Sequence, residues 1–346
     1  MKAIRIHGPK DARYEDVPMP EVPPDNVLVR VRAAAICATD IELYDGVMFY
    51  ITSGMTRYPF IPGHEWSGEV VELGSNVNDF AVGDKVVGEC SIGCRRCATC
   101  RRGTYQLCPD RSETGLLKQD GGFAEYISFP RFFLHKCNSL SYEDAAFIEP
   151  TGVAINPAKK THLSPADYVA VMGPGAIGLF AVQVAKAYGA RKVILVGRSP
   201  DRLRAGLDVG ADVTVNIRKE DLVETVRKAT EGHMVDVVIE AVGKKEVWPD
   251  IASILAPGAR VGMTGLFAGA KCEVDFDPLV VNEVTIFGCL GGPNMWSEAI
   301  SLHERGQVSS QRLITHRLPL SQFAEGIEIS RNRTDGAIKV LLEPEV

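Results

Sequence analysis

The sequence predicts an α/β protein in which an all-β module precedes a doubly wound parallel sheet. Three observations lead there. A chain of 346 residues exceeds one ordinary core and suggests about two domains. Its first half carries short alternating or apolar runs separated by Gly, Pro and Asp, the pattern of an all-β module. From about Ala166 the rhythm becomes strand then helix, repeated, which builds a parallel sheet.

In chain order, "MKAIRIHGPKDARYED" reads as an alternating strand. It has no apolar stretch of signal-peptide length, so a cytoplasmic protein is expected. Strands follow in "NVLVRVRAAAIC" (26–37), "GEVVELG" (68–74) and "GDKVVGE" (83–89). In the second half "YVAVMG" leads into a helix to Tyr188, "KVILVG" into 200–210, "ADVTVN" into 220–231 and "DVVIEAVG" into 244–255, before "ARVGMTG". The tail adds a strand near "EVTIFG", helices around 294–305 and 320–331, and a closing strand "AIKVLLE". Tyr168 to Ala185 is uncharged over 18 positions, but Gly173, Pro174, Gly175 and Gly178 interrupt it early, so a buried strand, turn and helix account for it better than a membrane span.

The composition, 45% apolar and 24% charged, is that of a folded soluble protein. A net charge of −6 gives no electrostatic footprint for a polyanion, which excludes nucleic acid and anionic membrane as main partners and leaves a small molecule.

"VMGPGAIGLF" (171–180) places G-x-G-x-x-G directly after a predicted strand and at the start of a predicted helix. In that context the glycines allow a tight turn, close approach of a pyrophosphate and helix-on-strand packing, while the helix N-terminus offers free N–H groups to the phosphates. A dinucleotide is expected here. The ribose end reads "LVGRSPDR", with Gly197 and Arg198 where an acidic residue would bond a 2′-hydroxyl. A small residue followed by a guanidinium suits a 2′-phosphate and favours NADP. In the other reading Arg198 is solvated, stacks on adenine, and NAD binds. The expected cofactor contacts are Gly173, Gly175, Ala176, Ile177, Gly178, Gly197, Arg198, Ser199 and Arg202, with Gly265 and Leu290 farther along.

Nine cysteines are many for a cytosolic chain, and their spacing explains four. Cys94, Cys97, Cys100 and Cys108 stand at C-x2-C-x2-C-x7-C, a spacing that lets four thiolates close on one tetrahedral ion as a structural zinc site. Disulfides and an iron–sulfur cluster are the alternatives. Cys90, Cys137, Cys272 and Cys289 lack such spacing and read as small buried residues. Taken singly, Cys37 in "AAICATD", His64 and Glu65 in "IPGHEWSGEV" and Glu149 in "AAFIEPTG" read as a buried cysteine, a loop histidine and surface acids.

Together these motifs resemble, over nearly the full length and in the expected order, the zinc-dependent medium-chain dehydrogenases, and most of all their polyol (sorbitol-like) and threonine dehydrogenase branches. The resemblance rests on "CATD" (37–40), "GHEWSGEVVELGSNV" (63–77), "GDKV" (83–86), the four-cysteine lobe, "EP" (149–150) and "GPGAIG". It implies a GroES-like catalytic domain over 1–152 with the zinc lobe at about 90–110, a Rossmann domain over 153–290, and a C-terminal segment, 291–346, completing the catalytic domain. It implies a catalytic zinc held by Cys37, His64 and Glu65, with Glu149 bound directly or through water, beside the structural zinc. Such a ligand set leaves a position for an alcohol oxygen, which the ion acidifies. By the same resemblance Asp40 orients the zinc histidine, and Thr39 relays the alcohol proton. Two residues depart from the pattern: Ala38 stands where the family has Gly, and Glu42 where it often has the His that passes the proton to solvent.

The reaction so implied is hydride transfer between a secondary alcohol and NAD(P), with NADP favoured and NAD possible. The motifs show no clamp for an anionic substrate, so a neutral polyol, cyclitol or matching ketose is expected. "GCLGGPNMWSEA" (288–299) offers Asn294 as a hydrogen-bonding amide and Trp296 as an apolar wall or, equally, a core anchor. The alternatives are an L-threonine 3-dehydrogenase with NAD and a non-catalytic module that holds zinc and dinucleotide. The resemblance further implies a homo-oligomer, dimer or tetramer.

Overall fold

The computed structural model describes residues 1–267 and 269–345, which fall into two compact units. The first comprises Met1–Glu149, Trp296–Glu304 and Ile314–Val346, the second Pro150–Met295 and Arg305–Leu313. The tail is thus divided: Trp296–Glu304 and Ile314–Val346 join the first unit, and Arg305–Leu313 between them joins the second.

In the first unit the N-terminal segment is a hairpin rather than one strand. Lys2–Gly8 pairs antiparallel with Asp11–Asp16. Pro9 supplies no backbone donor and Lys10 adopts a φ of 61°, so the chain reverses there. The main sheet runs in the order Leu134–Lys136, Lys85–Gly88, Glu65–Leu73, Asn26–Ala35, Lys339–Glu343, Ile314–Pro319, with Tyr126–Pro130 also paired to Asn26–Ala35. Along Asn26–Ala35 the side chains of Val27, Val29 and Val31 turn inward and are buried. They pack with Trp66, Phe123, Phe129 and Phe323 into one core. Burial on this scale, about 25 cal/mol per Å² of apolar surface, is what fixes the sheet's register.

Helices Ala38–Asp45 and Ile148–Lys160 escape the sequence pattern. Ala38–Asp45 buries only Asp40 and Leu43, so no apolar stripe announces it. Ile148–Lys160 carries Pro150, Gly152 and Pro157, which read as breakers. Pro150 sits in the first turn, where a missing N–H costs nothing. Buried Ala154, Ile155 and Ala158 hold the rest.

The second unit has, among the described residues, six parallel strands in the order Val213–Asn216, Lys192–Gly197, Tyr168–Met172, Val235–Glu240, Leu255–Met263, Thr285–Gly288. Tyr168–Met172 is buried at every position, as a central parallel strand must be. The strand order reverses between Tyr168–Met172 and Val235–Glu240, the switch point at which such sheets bind nucleotides. Among the described residues no helix is long and apolar enough to cross a membrane.

Candidate metal centres and dinucleotide site

The register of the first sheet assembles the first metal centre. Glu65 opens its strand opposite Ala35, and His64 precedes it. Two residues beyond Ala35, Cys37 caps helix Ala38–Asp45 in extended conformation, its N–H donating to Asp40 Oδ2 at 2.8 Å. Cys37, His64 and Glu65 thereby bring one ligand atom each within 4.8 Å of one another. Asp40 is fully buried, and its Oδ1 lies 3.9 Å from His64 Nδ1; neither atom has another hydrogen-bond partner. That arrangement aims Nδ1 at a carboxylate and leaves Nε2 toward the Cys37 sulphur, the usual orientation of a metal-binding histidine. Ala38 does not adopt a left-handed φ, so replacing the family's glycine costs no backbone strain.

The titratable groups at this centre act strongly on one another. Burial pushes the Glu149 carboxyl up to about 7, a rise that nearby His64 opposes and Glu65 reinforces. His64 is held well above its ordinary value by the Cys37 sulphur, Asp40 and Glu149, even though burial works against its charge. A thiol, an imidazole and buried carboxyls converging on one point are the donor set of a divalent ion, and they fit zinc. Thr39 Oγ1 stands 4.0 Å from Cys37 Sγ. Glu42, one turn further along the helix, is exposed, and partial burial raises its carboxyl above the usual range.

Sequence reasoning missed Lys339. Its Nζ lies 2.5 Å from both oxygens of Glu65 and 3.4 Å from Ile36 O, with the lysine and glutamate side chains 3% and 0% exposed. The only signal was one lysine inside the apolar run "AIKVLLE", where every residue of Lys339–Leu342 turns out to be buried.

The second centre is the four-cysteine lobe. Four sulphurs each 2.3 Å from a tetrahedral zinc stand about 3.8 Å apart. Cys94 Sγ lies 4.0 Å from Cys100 Sγ, and Cys97 Sγ 3.7 Å from Cys108 Sγ. A disulfide needs about 2.05 Å, and all nine cysteines are free. The Thr99 hydroxyl, 2.9 Å from Cys97 Sγ, and the Cys100 N–H hold the Cys97 thiol down to about 6, ready to bind a cation as thiolate. Gly93 makes room for the cluster, since a Cβ there would stand 2.8 Å from Cys100 Sγ. Cys97→Ser is therefore expected to lower the melting temperature and release one zinc, because a structural site contributes folding free energy; calorimetry with metal analysis checks it.

The three glycines of the dinucleotide loop have separable roles. Gly173 has a φ of 99°, and a Cβ there would meet Val242 Cγ2 at 2.7 Å. A Cβ on Gly178 would stand 1.9 Å from Gly173 O, so helix-on-strand packing requires glycine. Gly175, the N-cap of helix Ala176–Ala187, faces open space, where a phosphate can approach the backbone. Ala176 and Ile177 form the first turn of that helix, beside its free N–H groups.

At the ribose end Arg198 is exposed, within electrostatic reach of Asp250, and Ser199 caps helix Pro200–Asp208, on which Arg202 lies. The reason for Gly197 differs from the one expected. It is buried, and a Cβ there would stand 2.5 Å from Pro174 Cδ, so packing against the glycine loop accounts for it rather than room for a phosphate. Glu240, also missed, is fully buried at the strand end and ties the adjoining loops. Its Oε1 accepts from Val242 N (2.6 Å) and Gly243 N (2.8 Å), and its Oε2 from Gly265 N (3.3 Å). Leu290 is exposed, and its carbonyl accepts from Asn156 Nδ2 at 3.3 Å. Asn294 is exposed with a φ of 60°. Trp296 is a core anchor, 3% exposed and stacked on His135 at 5.8 Å.

Comparison with known proteins agrees with this anatomy. Residues 23–139 match the family model "Alcohol dehydrogenase GroES-like domain", and residues 176–305 match "Zinc-binding dehydrogenase". The chain is 34% identical to a sorbitol dehydrogenase of Bacillus subtilis, over 99% of this chain and 97% of that one. It is 34% identical to an L-threonine 3-dehydrogenase of Symbiobacterium thermophilum, over 100% and 98%. A solved structure described as a zinc-binding dehydrogenase of Sinorhizobium meliloti bound to NADP superposes with a TM-score of 0.92 at 32% identity, covering 99% of both chains.

Proposed function

Because the chain belongs to the zinc-dependent medium-chain dehydrogenases, we propose that it oxidises a secondary alcohol of a neutral polyol or cyclitol to the ketone, reversibly, with NADP as the favoured coenzyme. It is an oxidoreductase acting on CH–OH donors with zinc and a nicotinamide dinucleotide. The observation that carries the reading is the convergence of Cys37, His64 and Glu65 beside Asp40 and Glu149. Thr39, with a hydroxyl beside the reacting position, argues against a module that only binds.

The catalytic zinc would be held by Cys37, His64 and Glu149. Lys339 already neutralises both oxygens of Glu65, which favours Glu149, buried and lacking such a partner, as the third ligand. Zinc bound there makes an alcohol proton acidic near neutral pH. Thr39 would relay that proton, accepting it from the alcohol while handing on its own hydroxyl proton, and Glu42, one turn away at the surface, would pass it to solvent. Asp40 fixes the imidazole of His64 in one orientation. The four-cysteine lobe would hold the structural zinc.

NADP preference rests on exposed Arg198 and on the absence of an acidic side chain at 197. A charge-assisted contact to a 2′-phosphate contributes roughly 1.5 to 3 kcal/mol, about tenfold to a hundredfold in affinity. Arg198→Ala is accordingly expected to raise KM for NADP by that factor and leave KM for NAD little changed. Gly197→Asp is no clean test, since its Cβ would collide with Pro174. A wild-type enzyme that prefers NAD would overturn the ribose assignment.

The exposed strand Thr285–Gly288, with exposed Val280, Val281 and Ile286 around it, supports assembly into a homo-oligomer, dimer or tetramer. Nine unpaired cysteines support a reducing, cytoplasmic setting. Steady-state rates at 340 nm over polyols, cyclitols, ketoses and L-threonine test the substrate assignment. A much higher kcat/KM for L-threonine than for every polyol, cyclitol and ketose would replace it with the amino-alcohol reading.

A further inference from the structure

We propose that Glu240 is a positioning residue for the coenzyme: its buried side chain locks together the two loops on which the nicotinamide half of the dinucleotide rests. The proposal rests on the dinucleotide reading above and concerns the half of the coenzyme that Arg198 does not reach.

Strand order decides where that half lies. Arg198 follows strand Lys192–Gly197, on one side of Tyr168–Met172, and marks the adenosine end. A dinucleotide whose pyrophosphate sits at the glycine loop after Tyr168–Met172 crosses the switch point there. Its other half then lies over the ends of Val235–Glu240 and Leu255–Met263, where loops 241–244 and 264–266 begin.

Glu240 joins these loops, and its side chain is fully buried between them. Oε1 accepts from Val242 N at 2.6 Å and Gly243 N at 2.8 Å, which folds the first loop back on its own strand end. Oε2 accepts from Gly265 N at 3.3 Å in the second loop. The backbone oxygen of Glu240 accepts from Thr264 N at 3.0 Å and from Thr264 Oγ1 at 2.7 Å. Glycines let the loops close on each other. A Cβ on Gly243, whose φ is 66°, would stand 2.5 Å from Leu266 O, and one on Gly265 would stand 2.3 Å from Gly243 N.

The locked loops touch the dinucleotide loop directly. Ala241 N donates to Met172 O at 3.1 Å, and Val242 lies so close to Gly173 that a Cβ on the glycine would meet Val242 Cγ2 at 2.7 Å. Val242 and Leu266 stand 37% and 78% exposed on these loops, apolar faces suited to a nicotinamide ring. Ordering a loop costs backbone entropy, and a loop that the fold has already ordered does not subtract that cost from the coenzyme's affinity.

The test measures the dissociation constants of NADPH and of adenosine 2′,5′-bisphosphate, which is the adenosine half alone, in wild type, Glu240→Gln and Gly243→Ala, with thermal melts to verify folding. Glutamine puts an N–H donor where the carboxylate accepts, while an alanine Cβ at 243 wedges the loops apart and leaves the carboxylate in place. In each variant NADPH is expected to weaken at least about tenfold, as when a hydrogen bond to a charged group is lost, and adenosine 2′,5′-bisphosphate less than about twofold. The KM for NADP should rise with the NADPH constant, while the KM for the alcohol at saturating coenzyme should not. Equal weakening of both ligands, or of neither, overturns the lock and leaves the dinucleotide reading standing. Wild type that binds NADH in preference to NADPH overturns the ribose assignment instead, and the lock is then read in the same way from NADH against AMP. Wild type that binds neither coenzyme overturns the dinucleotide reading and the lock with it. Gly243→Ala keeps the comparison decisive if Glu240→Gln fails to fold.

Discussion

Cys37→Ala is expected to yield a folded protein that carries one zinc instead of two and oxidises its polyol about 10³-fold more slowly or worse. The thiolate is the one sulphur among the ligands proposed for the first centre. Removing it forfeits the several kcal/mol that a Lewis acid contributes to an alcohol's deprotonation and hydride loss, and each 1.36 kcal/mol is tenfold in rate. The fold has little to lose, because Cys37 is only half-buried and the helix it caps keeps the bond from the residue 37 N–H to Asp40. Metal analysis, a thermal melt and a single-substrate rate check all three parts. Wild-type zinc content in the variant would show that the ion sits elsewhere.

Lys339→Met should have the largest effect on stability of any single change at the first centre. It leaves Glu65 buried without the ammonium that meets both its oxygens, and breaking one partner of a buried pair costs about 3–5 kcal/mol. For units of this size that corresponds to a fall in melting temperature on the order of 10 °C. The measurement belongs in chelated protein, where no metal can compensate the freed carboxylate. Adding Glu65→Leu to Lys339→Met is expected to recover most of the loss, since apolar replacement of both partners is often neutral. A single variant that melts with wild type would mean that the pair does not hold the strand ends together.

The contrast between Lys339 and Cys97 shows what a sequence carries. The lobe is local: four ligands within fifteen residues fix their own geometry, so spacing alone anticipates sulphurs about 4 Å apart. The glycine loop is local in the same sense, and each glycine's role follows from the turn it must make. Lys339 meets Glu65 only because two distant strands flank Asn26–Ala35 in register, a pairing no short window contains. Helix Ile148–Lys160 hid for a related reason: its prolines and glycine argue locally against helix, and tertiary burial overrides them. Gly197 is subtler. The position was legible as non-acidic, but its reason, contact with Pro174 from the loop before it, was not.

The most direct test of the whole account follows polyol oxidation at 340 nm while a chelator withdraws zinc stepwise, with metal content measured at each point. If Cys37, His64 and a glutamate hold the working ion and the four-cysteine lobe a structural one, fully loaded protein carries two zincs per chain. Activity then falls to nothing with the ion of the Cys37 and His64 centre, whichever of the two leaves first, while protein that keeps the lobe's ion melts cooperatively; added zinc restores the rate. Turnover that persists in protein from which both zincs have been withdrawn would contradict the assignment of catalysis to the Cys37 and His64 centre.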